Sequence, residues 1–256
     1  YRSEDSLTDE YYDEIITESK APTRKSFLAV YSDFYKSNPL DSISYFLENT
    51  SQYREWQFGR GSEQRKAQPT DLPNDFLLPD ASNLALVLQE LEFHPENHNR
   101  FMQALQNLYP NITGYKVRLP AGFAQLHMME SDTLIPAARL SDGTLRYLCL
   151  LAILCHPEPP PLICIEEPEL GLHPDILPTI AELLKEAAER TQLIVTTHSE
   201  VLVDCFTDQP ESILVCEKDQ DGTHIEALSK AELEPWQEKY RLGQLWSMGH
   251  IGGNRW

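Results

Sequence analysis

Apolar positions along the chain change their period several times, and each change predicts an element. Leu84, Leu88 and Leu91 fall on one helical face, as do Phe101, Leu105 and Leu108. The spacing predicts amphipathic helices near 82–92 and 96–109. Tyr115–Leu119 and Phe123–Met129, parted by Pro120-Ala121-Gly122, read as a hairpin. After Leu140-Ser141-Asp142-Gly143-Thr144 an apolar stretch runs to Cys155, long enough for a helix, and the prolines from Pro157 to Pro161 end it. Leu162-Ile163-Cys164-Ile165 is a short apolar run after a turn, as a buried parallel strand requires. Ile176, Ile180, Leu183, Leu184 and Ala187 mark a helix starting near Pro174, and Leu193-Ile194-Val195 is a second buried strand.

Strand, helix and strand within about 35 residues make a parallel βαβ unit, so the class is α/β. A strand at Ser212–Cys216 and a hairpin partner at His224–Leu228, turning at Asp221-Gly222, are expected to finish that sheet. Trp56-Gln57-Phe58 is read as part of a buried strand, and Gly59 to Pro79 as a loop. Four segments result: 1–55, mostly helical and acidic; 56–133, helices plus hairpin; 134–230, the βαβ core; and 231–256, a helix with an aromatic tail.

Composition narrows the function classes. Of 256 residues 41% are hydrophobic, which suits a folded chain, and no apolar run approaches the roughly 18 residues that span a bilayer. With 21 basic and 40 acidic residues the formal charge is −19, so the chain repels phosphate backbones at long range and DNA enters only indirectly. The first twenty residues contain Tyr1, Tyr11 and Tyr12 among acids, a solvated segment suited to a basic protein partner. Cys149, Cys155, Cys164, Cys205 and Cys216 are odd in number and lack CxxC spacing. They read as buried thiols in a reducing compartment, which with the absence of a signal peptide predicts a cytoplasmic protein. The chain starts at Tyr1 and its first methionine is Met102, so an upstream segment is expected.

Three motifs carry chemistry. Leu140–Thr144 precedes a helix, where Ser141 brings a hydroxyl, Gly143 allows close backbone approach and the helix start favours an anion; the same residues also make an ordinary helix cap. Ile165-Glu166-Glu167-Pro168-Glu169 lies at the carboxyl end of a buried strand, where ligands of open α/β sheets bind. Adjacent carboxylates there can divide labour, one holding Mg²⁺ and the other orienting water against a phosphate. Thr196-Thr197-His198-Ser199 ends the next strand, which brings His198 beside Glu167 if the strands are neighbours. A Ser/His hydrolase would need a G-x-S-x-G elbow, which is missing. His94 and His98 flank Pro95 without a third ligand, and Gly249, Gly252 and Gly253 lack a following helix, so neither group reads as a site.

In this order the motifs resemble those of ABC-type ATPase heads of the RecF/SMC-like branch, in particular AAA ATPases with a Glu-Glu-Pro-Glu Walker B. Leu140–Thr144 is similar to the signature motif, Leu162–Glu167 to Walker B, Leu170-Gly171-Leu172-His173-Pro174 to the D-loop, and His198 to the switch histidine. The resemblance covers about 134–217 well. It implies the carboxyl-terminal lobe of a P-loop ATPase head with a mainly helical amino-terminal insertion. ATP and Mg²⁺ would lie between two heads, with Glu166 in the metal shell, Glu167 as general base, and His198 on the γ-phosphate. Ser141, Asp142, Gly143 and Thr144 would act on the partner's nucleotide. Two departures stand out: Glu166 replaces the usual aspartate, and no G-x-x-x-x-G-K-[ST] occurs, since Gly59-Arg60-Gly61-Ser62 with Lys66 does not match. A lobe supplying the Walker A loop is therefore an expected partner, beside a second head and an effector such as a nuclease or toxin. DNA repair, chromosome maintenance and phage defence are the expected settings. The rival reading is a scaffold that dimerises or docks an effector without turning over ATP.

Overall fold

The computed structural model describes residues 39–54, 56–237 and 239–252. The chain divides into two units, 1–49 and 50–256. Within the first, the described element is helix α1 (Pro39–Glu48). The mostly helical reading of 1–38 and the tyrosine-bearing acidic segment lie outside the described residues.

The second unit is organised around a helix that is apolar on every side. Helix α4 (Asp142–Leu154) buries Leu145 and every residue from Tyr147 to Leu154, as a helix at the centre of a core must. Helices α2 (Leu84–Leu91) and α3 (Pro95–Leu108) pack against it, within one position or two of the ends that periodicity predicts. Buried tyrosines lock these layers by donating to carbonyls: Tyr147 to Ala104 and Tyr115 to Leu88, both at 2.7 Å. A fully apolar side chain could not satisfy those carbonyl groups.

Two sheets flank this core. The antiparallel one has order β2-β4-β3, from β2 (Gln68–Pro69), β3 (Ile112–Arg118) and β4 (Phe123–Glu130), with β5 (Thr133–Pro136) also paired to β4. The parallel sheet has order β1-β6-β7, from β1 (Thr50–Tyr53), β6 (Leu162–Glu166) and β7 (Gln192–Thr196). Helix α5 (Leu177–Ala188) connects β6 to β7 and buries Ile180, Leu183, Leu184 and Ala187. The parallel βαβ unit therefore stands where the sequence puts it, but β7 is not the buried strand expected: Leu193 and Val195 are half-buried and Ile194 is 49% exposed.

Two other expectations are corrected. Strands β8 (Leu214–Lys218) and β9 (Thr223–Ala227) pair only with each other among the described residues, rather than finishing the parallel sheet. A hairpin satisfies its own ladder, so its turn signal does not say which sheet it joins. Residues Trp56–Phe58 are not a strand either; the strand precedes them at β1. Gln57 is exposed, whereas Trp56 is buried and Phe58 half-buried through edge-to-face rings, Tyr53 on Trp56 and Trp56 on Phe58, at 5.8 and 5.9 Å. At the carboxyl end α6 (Glu200–Asp204), α7 (Lys230–Gln237) and α8 (Leu242–Ser247) surround a small second core of Val203, Leu233, Leu242 and Leu245, on which Trp246 packs.

Candidate active site at the carboxyl ends of the parallel strands

The ladder of β6 and β7 runs to the rung Glu166↔Thr196, and the Glu167 N–H adds one more bond, to the Thr196 carbonyl at 2.9 Å. Both motifs thereby leave the sheet side by side. His198 Nε2 lies 3.6 Å from Glu167 Oε1, the two side chains being 56% and 29% exposed. That gap is too long for a direct hydrogen bond. It leaves the pair open towards solvent, where a third group can approach both.

Glu167 has φ +46°, a left-handed conformation in a residue that precedes a proline and would ordinarily be extended. Such backbone costs on the order of 1–3 kcal/mol and persists where surroundings hold it. Here the Glu167 carbonyl accepts from the Leu170 N–H at 3.1 Å and from Arg146 Nη1 at 3.5 Å, the latter at the outer limit of a hydrogen bond.

Glu169, two residues on, carries no role in the sequence reading beyond completing the motif. Its Oε1 accepts from the Thr197 hydroxyl at 2.7 Å and from the His198 backbone N–H at 2.9 Å. Its Oε2 is buried without a hydrogen-bond partner. Arg146 is the second residue missed. Its guanidinium stacks over Trp56 and Phe58, at 5.6 and 5.3 Å from the ring centres. Burial pulls its pKa below the usual arginine range, against attraction from nearby groups that include Glu167 and Glu169. The signal available in the sequence was a lone charge inside the apolar run of α4.

Glu166 stands apart from this pair. Its side chain is 44% exposed and its Oε2 accepts from Arg54 Nε at 3.0 Å. No group of three or more His, Cys, Asp or Glu able to hold a metal occurs among the described residues. A Mg²⁺ ion that keeps waters and phosphate oxygens needs only one or two carboxylates, so Glu166 fits as a single ligand. The Arg54 contact, being exposed, is too weak to prevent that.

The start of α4 is built as a cap. Ser141 Oγ accepts from the Thr144 N–H at 3.0 Å and lies 2.7 Å from the Thr144 hydroxyl, which meets the Tyr109 hydroxyl at 2.8 Å. Thr144 is buried, with its amide and hydroxyl both engaged in the cap, whereas Ser141 and Asp142 are exposed. Arg65, its side chain only 9% exposed, pairs with Asp142 Oδ1 and donates to the Leu140 carbonyl at 2.5 Å and the Gly59 carbonyl at 2.9 Å. The loop from Gly59 is thus fastened to the signature-like residues. His94 precedes α3 as its cap residue, and the His98 ring meets Tyr115 at 5.6 Å.

A Smc head bound to the C-winged helix domain of ScpA shares the fold with a TM-score of 0.52 at 13% identity, over 76% of this chain and 62% of that one. A Pyrococcus furiosus Smc head with an extended coiled coil, bound to the C-terminal domain of ScpA, gives 0.46 at 16%, over 61% and 39%. The Thermotoga maritima SMC head domain gives 0.37 at 18%, over 51% and 46%. The chain therefore spans less than two thirds of the length of these heads. No curated protein matches it in sequence. Residues 5–204 match the family described as "AAA domain, putative AbiEii toxin, Type IV TA system". With most of its length inside that match, an α/β fold and an SMC-head-like parallel sheet, the chain belongs to this family of AAA ATPases.

Proposed function

We propose that this chain is the part of an ATPase head that supplies the hydrolytic residues and the signature motif of an ATP-driven dimerisation switch. Glu167 accepts the proton of the attacking water and His198 donates to the γ-phosphate. Glu166 would hold Mg²⁺, which when bound would supply charge neutralisation on the phosphates. The exposed Ser141 and Asp142, with Gly143, face the nucleotide of a second head, while the buried Thr144 holds their cap. The supporting observation is the pairing of Glu167 with His198 at 3.6 Å on the ends of two adjacent parallel strands. Water activation and phosphate contact need those two groups on one side of one phosphate.

The phosphate cradle comes from a further lobe, since no Walker A sequence occurs in these residues. Strand β7 supports this. A parallel strand is ordinarily covered on both faces. Among the described residues β7 pairs only with β6, and Ile194 at its centre is 49% exposed. A second head and an effector protein such as a nuclease or toxin complete the assembly, in the cytoplasm, with DNA maintenance or phage defence as its setting. Within the described residues no helix is long and apolar enough to cross a membrane.

The test is Glu167→Gln in the protein that contains the phosphate-binding loop. Hydrolysis should fall by about a hundredfold, as expected on losing a general base. ATP binding should persist and the ATP-bound dimer accumulate on gel filtration. Unchanged turnover would remove Glu167 as the base, monomers only in ATP would contradict the dimerisation switch, and a wild-type protein without turnover would favour the non-hydrolysing scaffold.

A further inference from the structure

Two side chains outside the proposed catalytic pair connect it to the rest of the head. Glu169 reaches from the turn after β6 to the segment after β7, accepting from both Thr197 and the His198 N–H through one oxygen. The bonds link the strand exits that carry Glu167 and His198. Beyond the sheet, the Glu167 N–H to Thr196 carbonyl bond is the neighbouring tie between them. A buried carboxyl oxygen left unpartnered is a cost that a structural link alone does not require, because an amide or hydroxyl could make the same bonds. Opposite it stands Arg146, attracted to both Glu167 and Glu169 and close to the Glu167 carbonyl. Arg146 lies four residues after Asp142, on the same face of α4 as the helix start. Its planar group is held over Trp56 and Phe58, in the segment after β1, which fixes its direction from the helix.

We propose that Glu169 and Arg146 are positioning residues: Glu169 fixes the backbone of His198, and Arg146 ties the Glu167 turn to the helix whose first residues meet the second head. This rests on the reading of Glu167 and His198 as the hydrolytic pair. Contact of a second head with Ser141 then reaches the hydrolytic pair of the same chain through one helical turn of α4. The signature-like helix acts on two nucleotides, one across the dimer through its first turn and one within its own head through Arg146.

Two measurements test this. Amide exchange by NMR on the 256-residue chain should show the His198 N–H exchanging about tenfold faster or more in Glu169→Ala, which removes the acceptor, with the β6 amides unchanged. Thr197→Val, which removes the other donor to the same oxygen, serves if Glu169→Ala does not fold. In the protein containing the phosphate-binding loop, Glu169→Gln and Arg146→Gln should lower kcat about tenfold while KM for ATP stays within about twofold. Arg146→Lys, which keeps a positive charge, should retain more of kcat than Arg146→Gln. Unchanged His198 exchange, or a raised KM at full kcat, would overturn the role of Glu169. Equal losses in the two Arg146 variants would overturn that of Arg146. If the wild-type protein hydrolyses no ATP, the hydrolytic reading fails, while the exchange measurement still decides whether Glu169 holds His198.

Discussion

Gly143 packs so closely on Gly171 that a Cβ at position 143 would lie 2.9 Å from the Gly171 carbonyl oxygen. The second residue of the α4 helix thus rests on the loop that follows the Glu-Glu-Pro-Glu turn, backbone against backbone. Gly143→Ala gains up to about 1 kcal/mol of helix propensity but overpacks this contact at roughly 1–3 kcal/mol. The clash should win, with a net loss near 1 kcal/mol, measurable as a lower urea midpoint.

Ser141 makes two predictions of opposite kind. Ser141→Ala removes the cap of α4 and should cost about 1 kcal/mol of stability in urea titrations. Ser141→Arg places a long cation where the second head's phosphates would lie. It should block ATP-dependent dimerisation on gel filtration while the far-ultraviolet circular dichroism of the monomer stays native.

The five thiols should separate by reactivity. Cys216 is exposed, whereas Cys149 and Cys155 are buried. Burial pushes the Cys155 thiol up to about 12 and Cys149 higher still. The thiolate is the reactive form, so iodoacetamide at pH 8 should label Cys216 first. Peptide mapping should find Cys149 and Cys155 modified only after denaturation; fast labelling of either would contradict their burial.

His156 makes stability fall on acidification. Its imidazole, tilted against the Phe76 ring, is held below the usual histidine range by burial, partly offset by backbone hydrogen bonding. The unfolded chain then takes up this proton first as pH drops through about 6.5, which favours unfolding. The contribution is absent above that range and grows below it until the folded-state imidazole also protonates. The fall in melting temperature between pH 7 and pH 5 should be smaller in His156→Gln than in the wild type.

Period and punctuation made most of the fold legible. Leu84, Leu88 and Leu91 mark a helix because a core faces them, and Leu162–Ile165 marks a strand because an apolar run so short between turns has little else to be. What stayed hidden depends on partners distant in sequence. Nothing local in Leu214–Lys218 says whether it joins β7 or folds back on β9. Trp56 is buried by rings and a guanidinium rather than by a ladder, and aromatic packing has no period. At the site, Glu167 and His198 were legible because each ends an apolar strand. Arg65, Arg146 and Glu169 were not, since a charge in a loop or helix looks solvated until its buried contacts are seen.

Strand β1 has a consequence in time. It pairs with β6 in parallel, Thr50 with Leu162, and the Arg54–Glu166 contact just past it spans 112 residues. During synthesis at roughly 5–20 residues per second, β1 waits on the order of ten seconds for its neighbour to be made. The β6–α5–β7 unit needs far less chain and can assemble as soon as it emerges. Until β6 is made Thr50–Tyr53 has no strand to pair with among the described residues, and it is the segment a chaperone would most usefully shield.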